Sequence, residues 1–395
     1  MTGKTVLVLE ADAKASVPII ESCVKMGLNV IVGSSKKYCC GFYTRGVSEK
    51  VIYPSDQKYP AECISFIVDF IRKEQVSVVF PVGDVMTDLV ARHQDEFRKY
   101  ANLLLPPYDV FKQGRDKILT LKAAAAAGCP IPPTWYPKER NIKEISQQMK
   151  YPVLIKPAIS AGARGITFCY KPEDLIEKYL LIEKSFGDCF VQKFVSQTGT
   201  QYKVDIVLED AGKIFAGVVY EKLRYYPATG GSSVLNKTVY RPDILESAVK
   251  VLSQIGWKGF CDFDFITDPD DGIVKLMEIN PRFPESYLAT VSAGVDMTKI
   301  IYQLAMGQKP QPQLDYAVDR YTRFLLGDIM WFLTTKKGRW NAKPNFFNFF
   351  RRDTKDQLLR VRDWGPIFGY ILQNLSMIWD SEEREYRLRF GNIHK

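Results

Sequence analysis

Residues 259 to 282 read Gly-Phe-Cys-Asp-Phe-Asp-Phe-Ile-Thr-Asp-Pro-Asp-Asp-Gly-Ile-Val-Lys-Leu-Met-Glu-Ile-Asn-Pro-Arg, a pattern that predicts two strands joined by a tight turn. Apolar and β-branched residues fill both flanking runs, and residues 268 to 272 have the composition of a turn. Because side chains two positions apart share a strand face, the hairpin would bring three oxygen-bearing side chains together: Asp264, Glu278 and Asn280. Such a set suits Mg²⁺ whose shell is completed by phosphate oxygens and water. A surface hairpin with solvated carboxylates is the alternative.

The composition limits the class of protein. A chain of 395 residues is expected to form two or three domains, and 46% apolar with 25% charged residues is typical of a soluble globular protein. We find neither a run long enough for a membrane-spanning helix nor a signal peptide, so we expect a cytoplasmic location. The eight cysteines lack Cys-x-x-Cys spacing, which favours reduced thiols. With only two histidines, a mechanism built on histidine pairs is nearly excluded.

The formal charge of +9 is concentrated near the C-terminal end. Residues 320 to 395 carry 15 lysines and arginines against 8 aspartates and glutamates, so +7 of the charge lies there. The rest of the chain is nearly neutral, which argues against nucleic-acid binding. Two apolar helical segments in this region are too short to span a bilayer. We expect them to pack on the body or to form a dimer contact; a helix lying on a membrane surface is the alternative.

The first 110 residues or so alternate strands with helices. A buried strand at 4–9, a helix at 16–26 and a strand at 29–33 form a βαβ unit. This pattern predicts a doubly wound α/β domain with a parallel sheet. No Gly-x-Gly-x-x-Gly follows the first strand, so dinucleotide binding is not expected there.

Several cationic side chains stand where an anion is expected to bind. Lys156 ends an apolar strand and precedes a loop of small residues, 158–165, whose backbone N–H groups can approach a phosphate closely. Lys117 stands near a helix start, where a cation is unfavourable unless an anion binds too. Lys222 and Arg224 are two apart on a predicted strand and are candidates for holding an anionic substrate; an exposed charged strand face is the alternative.

The order of these motifs resembles the ATP-grasp superfamily, in particular its carboxylate–amine ligase and carbamoyl-phosphate-synthetase-like members. The sequence has Arg-Asp-Lys at 115–117, Val-Leu-Ile-Lys-Pro at 153–157, Val-Gln-Lys-Phe-Val at 191–195 and then the Glu-x-Asn-Pro-Arg hairpin. Lys-Leu-Arg-Tyr-Tyr-Pro-Ala-Thr-Gly-Gly at 222–231 resembles a segment of the carboxylate–amine ligases. The resemblance covers roughly residues 1–310.

The resemblance implies a three-part fold of mixed α/β and α+β class. A doubly wound, parallel-sheet N-terminal domain (1–114) would precede an ATP-grasp domain (115–310) of two α+β subdomains. The small lid lobe would span about 130–195, and a helical, basic and aromatic C-terminal extension (311–395) would follow.

The resemblance also implies a site for ATP. Nine residues would form it: Lys117, Lys156, Ser160, Gly162, Gly165, Gln192, Lys193, Val195 and Gln201. The two most N-terminal lysines would hold phosphates, the small-residue loop would fold over them, and residues 192–195 would follow the adenine edge. The family often has acidic residues where Gln192 and Gln201 stand in this sequence.

The reaction that the resemblance implies has two steps, in which a carboxylate attacks the γ-phosphate and an amine then displaces phosphate from the acyl phosphate. Four residues would carry it: Lys156, Lys222, Arg224 and Arg282. The hairpin oxygens of Asp264, Glu278 and Asn280 would bind two Mg²⁺, with Mn²⁺ as an alternative. The expected partners are ATP, a small carboxylate and a small amine, and a homodimer is a family expectation. An acceptor of another kind, such as a thiol or bicarbonate-derived chemistry, and a nucleotide-binding scaffold in an envelope polysaccharide pathway are the alternatives.

Overall fold

The N-terminal domain is built on a four-stranded parallel sheet. The structure, a computed structural model, describes residues 4–160, 164–209, 212–227, 231–336, 338–348 and 351–379. The first elements are β1 (Thr5–Val8), α1 (Ser16–Lys25), β2 (Asn29–Ser34), a 3₁₀ helix (Gly41–Tyr43), β3 (Glu49–Ile52), α2 (Pro60–Lys73), β4 (Val78–Phe80), α3 (Asp84–Arg92) and α4 (Gln94–Phe97). The strand order is β3-β2-β1-β4 with parallel pairing throughout, which confirms the predicted doubly wound α/β class.

A second, antiparallel sheet lies in the segment that the resemblance predicts as the lid lobe, and it is called the lid sheet below. Helices α5 (Tyr108–Arg115) and α6 (Lys117–Ala126) lead to β5 (Thr134–Trp135), α7 (Ile142–Gln148), β6 (Val153–Pro157), β7 (Thr167–Cys169), α8 (Pro172–Phe186) and β8 (Cys189–Lys193). The strand order is β5-β8-β6-β7. Helix α6 begins where the Asp116 carboxylate accepts hydrogen bonds from the backbone N–H groups of Ile118 and Leu119. This N-cap places Lys117 in the first turn, at the edge of the lid.

The third sheet is the centre of the molecule. Its strands and the helices between them are β9 (Gln201–Leu208), β10 (Ile214–Tyr226), β11 (Ser232–Thr238), α9 (Pro242–Gln254), β12 (Gly259–Thr267), β13 (Val274–Asn280), α10 (Leu288–Ser292), α11 (Met297–Ala305) and β14 (Tyr321–Arg323), with β15 (Thr354–Asp356) at the edge. The order is β13-β12-β9-β10-β11-β14-β15. Alternate side chains pack into separate clusters, for example Val204 and Phe263 in one, Phe215 and Phe260 in the other. The sheet is therefore buried on both faces.

The C-terminal region contains strands as well as helices. Helices α12 (Leu325–Thr334) and α13 (Gly365–Trp379) are present as the sequence predicts, whereas β14 and β15 extend the central sheet. Helix α13 packs on the 3₁₀ helix of the N-terminal domain, and the Arg360 guanidinium lies 2.8 Å from the Glu21 carboxylate. The region thus holds the N-terminal domain and the central sheet together.

Candidate active site

A cavity of about 490 Å³ lies between the lid, the central sheet and the N-terminal domain. Its wall includes nine residues that the sequence predicted: Lys117, Lys156, Ser160, Gln201, Lys222, Asp264, Glu278, Asn280 and Arg282. Asp84 at the start of α3, Lys203 on β9 and Glu285 after β13 line it as well, although none of them is among the predicted residues. Five cationic and four anionic side chains therefore face one space, which suits charged ligands.

The hairpin of β12 and β13 forms where the sequence predicts it, with a register shift between Asp264 and Phe265. Asp262 stands opposite Asn280 and Asp264 stands opposite Glu278 in the antiparallel register. The Asn280 amide nitrogen donates to Asp264 Oδ2 at 3.1 Å and to Asp262 Oδ2 at 3.2 Å. The prediction that Asp264, Glu278 and Asn280 come together is confirmed.

Two lysines on neighbouring strands bind the Asp264 carboxylate. Lys203 Nζ lies 2.8 Å from Asp264 Oδ2 and 2.7 Å from Asp262 Oδ2, and Lys222 Nζ lies 3.1 Å from Asp264 Oδ1. Burial opposes ionisation of Asp264, but the two ammonium groups hold its pKa below the usual range. Burial raises the pKa of Asp262 well above its ordinary value, and Lys203 only partly offsets this effect. The floor of the cavity is thus a compact network of opposite charges.

Arg282 connects the hairpin with the N-terminal domain. Its Nε lies 3.1 Å from Asp84 Oδ1, and one of its terminal nitrogens lies 3.6 Å from Asp262 Oδ2. Burial alone would lower the pKa of Arg282, but the surrounding carboxylates, Asp84 foremost, raise it. The guanidinium is therefore a permanent cation held beside the cavity.

Lys117 and Lys156 face the hairpin from the lid side. Lys117 Nζ donates to the Ser160 carbonyl at 2.7 Å and lies 3.6 Å from Glu278 Oε2. Lys156 Nζ donates to Gln192 Oε1 at 2.8 Å. Burial lowers the pKa of Lys156 to about 8; Glu278 opposes this effect and Lys117 adds to it. An anion bound here would relieve the repulsion between the two lysines.

Of the predicted residues that the structure describes, five do not line the cavity: Gly165, Gln192, Lys193, Val195 and Arg224. Gln192 is fully buried and bridges Lys156 to the Thr134 hydroxyl, which receives a hydrogen bond of 3.0 Å from the amide nitrogen. Lys193 Nζ lies 2.6 Å from Asp270 Oδ2, so it joins the lid to the hairpin turn. Gly162 lies outside the described residues.

Arg224 is placed differently from the prediction. Lys222 pairs with Asn236 and Arg224 with Leu235, so β10 has one extra residue at this point, a β-bulge. The bulge breaks the two-residue alternation on which the predicted shared face depended. The Arg224 guanidinium is buried and binds Asp328 of α12 at 2.9 and 3.1 Å. It therefore anchors the C-terminal region and does not reach the cavity.

The hairpin offers a partial ligand set for a divalent cation. Asp264 and Glu278 present hard carboxylate oxygens from facing strands, which is the chemistry that Mg²⁺ prefers. Among the described residues, no group of three or more His, Cys, Asp or Glu side chains could hold a metal ion. Two carboxylates are too few to hold Mg²⁺ alone, so the residues would fit this cation only together with phosphate oxygens and water.

The lid sheet, the central antiparallel sheet and the cation-lined cavity between them define an ATP-grasp fold. Residues 116–311 match the family described as carbamoyl-phosphate synthase L chain, ATP binding domain. Residues 116–311 thus form an ATP-grasp domain, and this domain is an ATP-binding one.

Relatives with curated functions share this domain at low identity. The alpha subunit of mitochondrial methylcrotonoyl-CoA carboxylase from Oryza sativa subsp. japonica is 26% identical over 219 residues, 51% of this chain and 29% of that protein. D-aspartate ligase from Enterococcus faecium is 24% identical over 303 residues, 70% of this chain and 71% of that one. The solved biotin carboxylase of Campylobacter jejuni superposes with a TM-score of 0.67 at 16% identity, covering 80% of this chain and 74% of that chain. This chain thus spans under a third of the length of the rice subunit. The likeness to the solved biotin carboxylase shows a shared fold alone.

Proposed function

We propose that the chain is an ATP-dependent ligase that activates a substrate carboxylate as an acyl phosphate and joins it to an amine, with release of ADP and phosphate. The observation that carries the proposal is a row of charged side chains along the cavity, in which two carboxylates lie between cations. Lys117 lies 3.6 Å from Glu278, Glu278 stands opposite Asp264, and Asp264 lies 3.1 Å from Lys222. Cations therefore flank the two carboxylates on both sides. Those on the side of Lys117 would bind a triphosphate, and those on the side of Lys222 would bind a second anion.

The nucleotide would lie on the lid side of this row. Lys117 and Lys156 would hold its phosphates, and the chain at Ser160 would cover them. Mg²⁺ held by Glu278, Asp264 and Asn280 would neutralise charge on the β- and γ-phosphate oxygens.

The substrate carboxylate would bind on the other side, between Arg282 and Lys222. One of its oxygens attacks the γ-phosphorus while the bond from that phosphorus to the ADP oxygen breaks. Arg282 would hold the substrate through this step and then stabilise the acyl phosphate. No side-chain nucleophile is required, and positioning with charge stabilisation supplies most of the catalysis.

The second step forms the amide. The amine nitrogen attacks the acyl carbon, the carbon–oxygen bond to phosphate breaks, and phosphate leaves with the bonding electrons. The nitrogen must also lose a proton, and Asp84 and Glu285 are carboxylates of the cavity wall that can accept it.

The test is release of ADP and phosphate from MgATP in the presence of pooled carboxylates and amines. We expect release that requires both a carboxylate and an amine. Release supported by bicarbonate alone would point to carboxyphosphate chemistry, and release that requires a thiol would point to a different acceptor. Failure to bind ATP would overturn the proposal at its first step.

A matched pair of variants locates the activity. Glu278→Gln keeps the size of the side chain while removing its charge, and we expect turnover to fall by about 10² or more. Glu177→Gln makes the same change at an exposed position of α8 and is expected to be silent. Full activity of Glu278→Gln would contradict its placement at the reacting phosphates.

A further inference from the structure

Helix α13 presents an apolar stripe to solvent. Four side chains, one just before the helix and three within it, are 44% to 68% exposed: Trp364, Phe368, Ile371 and Leu375. Their spacing of four, three and four residues places them on one helical face. Trp364 and Phe368 alone expose apolar surface on the order of 250 Å², given typical aromatic areas.

The opposite face of α13 is fixed to the N-terminal domain. Glycines at 365 and 369 allow the helix backbone to approach the carbonyl oxygens of Tyr43 and Cys39 so closely that a Cβ would overlap them. The Asp363 carboxylate accepts a hydrogen bond of 2.8 Å from the Arg45 backbone N–H and also bonds the N–H at the helix start. The stripe is therefore held outward by the packing of the opposite face.

Three exposed basic side chains lie close to the stripe. Arg362 and Arg45 are exposed at its N-terminal end, and Lys50 lies over the Tyr43 ring, which makes a T-shaped contact with the Phe368 ring. Residues 320 to 379 carry eleven lysines and arginines against four aspartates. The structure describes all four aspartates, and each is buried or half-buried. The surface thus combines apolar side chains with cationic neighbours.

We propose that α13 lies on the surface of an anionic phospholipid bilayer, with the stripe in the acyl boundary and the flanking Arg45, Lys50 and Arg362 against lipid phosphates. Helices of this type bind in the plane of the interface, through apolar burial and attraction to anionic lipid. Within the described ranges, every helix is too short or too polar to cross a membrane. At fifteen residues, α13 extends about 22 Å, less than the roughly 30 Å of the hydrocarbon core. As far as it is described, α13 is therefore too short to cross the bilayer.

A second copy of the chain fits the stripe less well. Stable interfaces bury about 800 Å² on each partner, well above the area that four partly exposed side chains supply. In a two-fold dimer the same patch faces itself, so the basic residues beside the stripe would also face one another. Both the area and the charge favour a lipid surface.

Co-sedimentation of the full chain with vesicles tests the proposal. We expect about tenfold stronger partition onto phosphatidylcholine vesicles that contain about 30% phosphatidylglycerol than onto phosphatidylcholine alone. The binding should weaken as salt rises from about 0.05 M to about 0.5 M, because the Debye length shortens. Equal binding to both kinds of vesicle, or to neither, would overturn the proposal.

Three variants separate the contributions. The double substitution Phe368→Ser with Ile371→Ser should abolish vesicle binding, whereas Leu180→Ser with Leu181→Ser on α8 removes two equally exposed leucines and should leave it unchanged. Arg45→Glu with Arg362→Glu keeps the stripe and should remove the preference for anionic lipid. Melting temperature and ADP release verify that each variant is folded. If vesicles do not bind and the stripe variant instead dissociates a dimer in analytical ultracentrifugation, the occupant is a second copy and the lipid proposal is wrong.

Discussion

Lys203 Nζ lies 2.8 Å from Asp264 Oδ2, and the two residues stand opposite one another on β9 and β12. The same ammonium lies 2.7 Å from Asp262 Oδ2. One lysine therefore contacts two carboxylates that share a strand face. Because Asp262 is fully buried, its charge would otherwise have little solvent to stabilise it.

Replacing Lys203 should disturb both stability and the site. In Lys203→Met the aspartates lose their shared cation, and breaking a buried ion pair costs about 3–5 kcal/mol of unfolding free energy. The pKa of Asp264, which Lys203 lowers, should rise. Denaturant unfolding measures the first effect, with the exposed Lys150→Met as a control. An unfolding free energy equal to that of the native chain would show that the network is dispensable.

The lowered pKa of Lys156 predicts how the affinity of the site for ATP depends on pH. Burial lowers its pKa to about 8, so the side chain is a cation below that pH and neutral above it. Nucleotide binding that needs this cation should weaken as pH rises through 8, by up to about tenfold per pH unit. Titration with a non-hydrolysable ATP analogue measures the trend, and Lys156→Met should bind weakly with a flatter profile. An affinity that is independent of pH would contradict contact between Lys156 and the phosphates.

The lowered pKa of Lys156 also affects how the stability of the protein without nucleotide depends on pH. In the folded chain it lies below the ordinary value of 10.5, so the folded state binds the proton less readily than the unfolded state does. The contribution of Lys156 to stability is therefore complete above about pH 10.5 and is lost as pH falls through about 8.

Arg224 should behave as a structural residue and not as a substrate ligand. Its guanidinium makes two contacts of 2.9 and 3.1 Å with the fully buried carboxylate of Asp328. Arg224→Met and Asp328→Asn should each lower the unfolding free energy by about 3–5 kcal/mol, and the double variant should lose less than the sum. Substrate KM separates the roles, since a ligand would raise KM in the arginine variant alone.

The hairpin was predictable because its information is local. Turn composition at 268–272 and the apolar flanking runs predict the two strands and their turn. The exact pairing of Asp264 with Glu278 also depends on a register shift between Asp264 and Phe265, which no local pattern marks. Lys203 and Asp84 come from a distant strand and from another domain, so their approach depends on tertiary pairing. The sequence does give one indication of the role of Lys203: two charged residues, Lys203 and Asp205, stand in a strand that is otherwise largely apolar.

Arg224 shows where the same reasoning fails. Alternation assigns side chains to faces only while the pairing stays in register, and one extra residue in β10 ends it. Asp328 lies 104 residues further along the chain, so no local pattern marks it as the partner. Likewise, β14 and β15 are three residues each and too short to give an alternation signal.

Gly369 tests whether close packing, and not propensity, holds α13 in place. Alanine is the better helix former, so Gly369→Ala would stabilise an isolated helix by about 0.5–1 kcal/mol. In the folded chain its Cβ would overlap the Cys39 carbonyl oxygen, and overpacking of this kind costs about 1–3 kcal/mol. The cost of overpacking exceeds the gain in helix propensity, so the substitution should loosen the contact of α13 with residues 39–43.

Hydrogen exchange of α13 amides should therefore accelerate in Gly369→Ala but not in Leu375→Ala, which changes the exposed face. Slower exchange in the glycine variant would mean that the helix stands further from residues 39–43 in solution, and the stripe would then no longer be held outward by that contact.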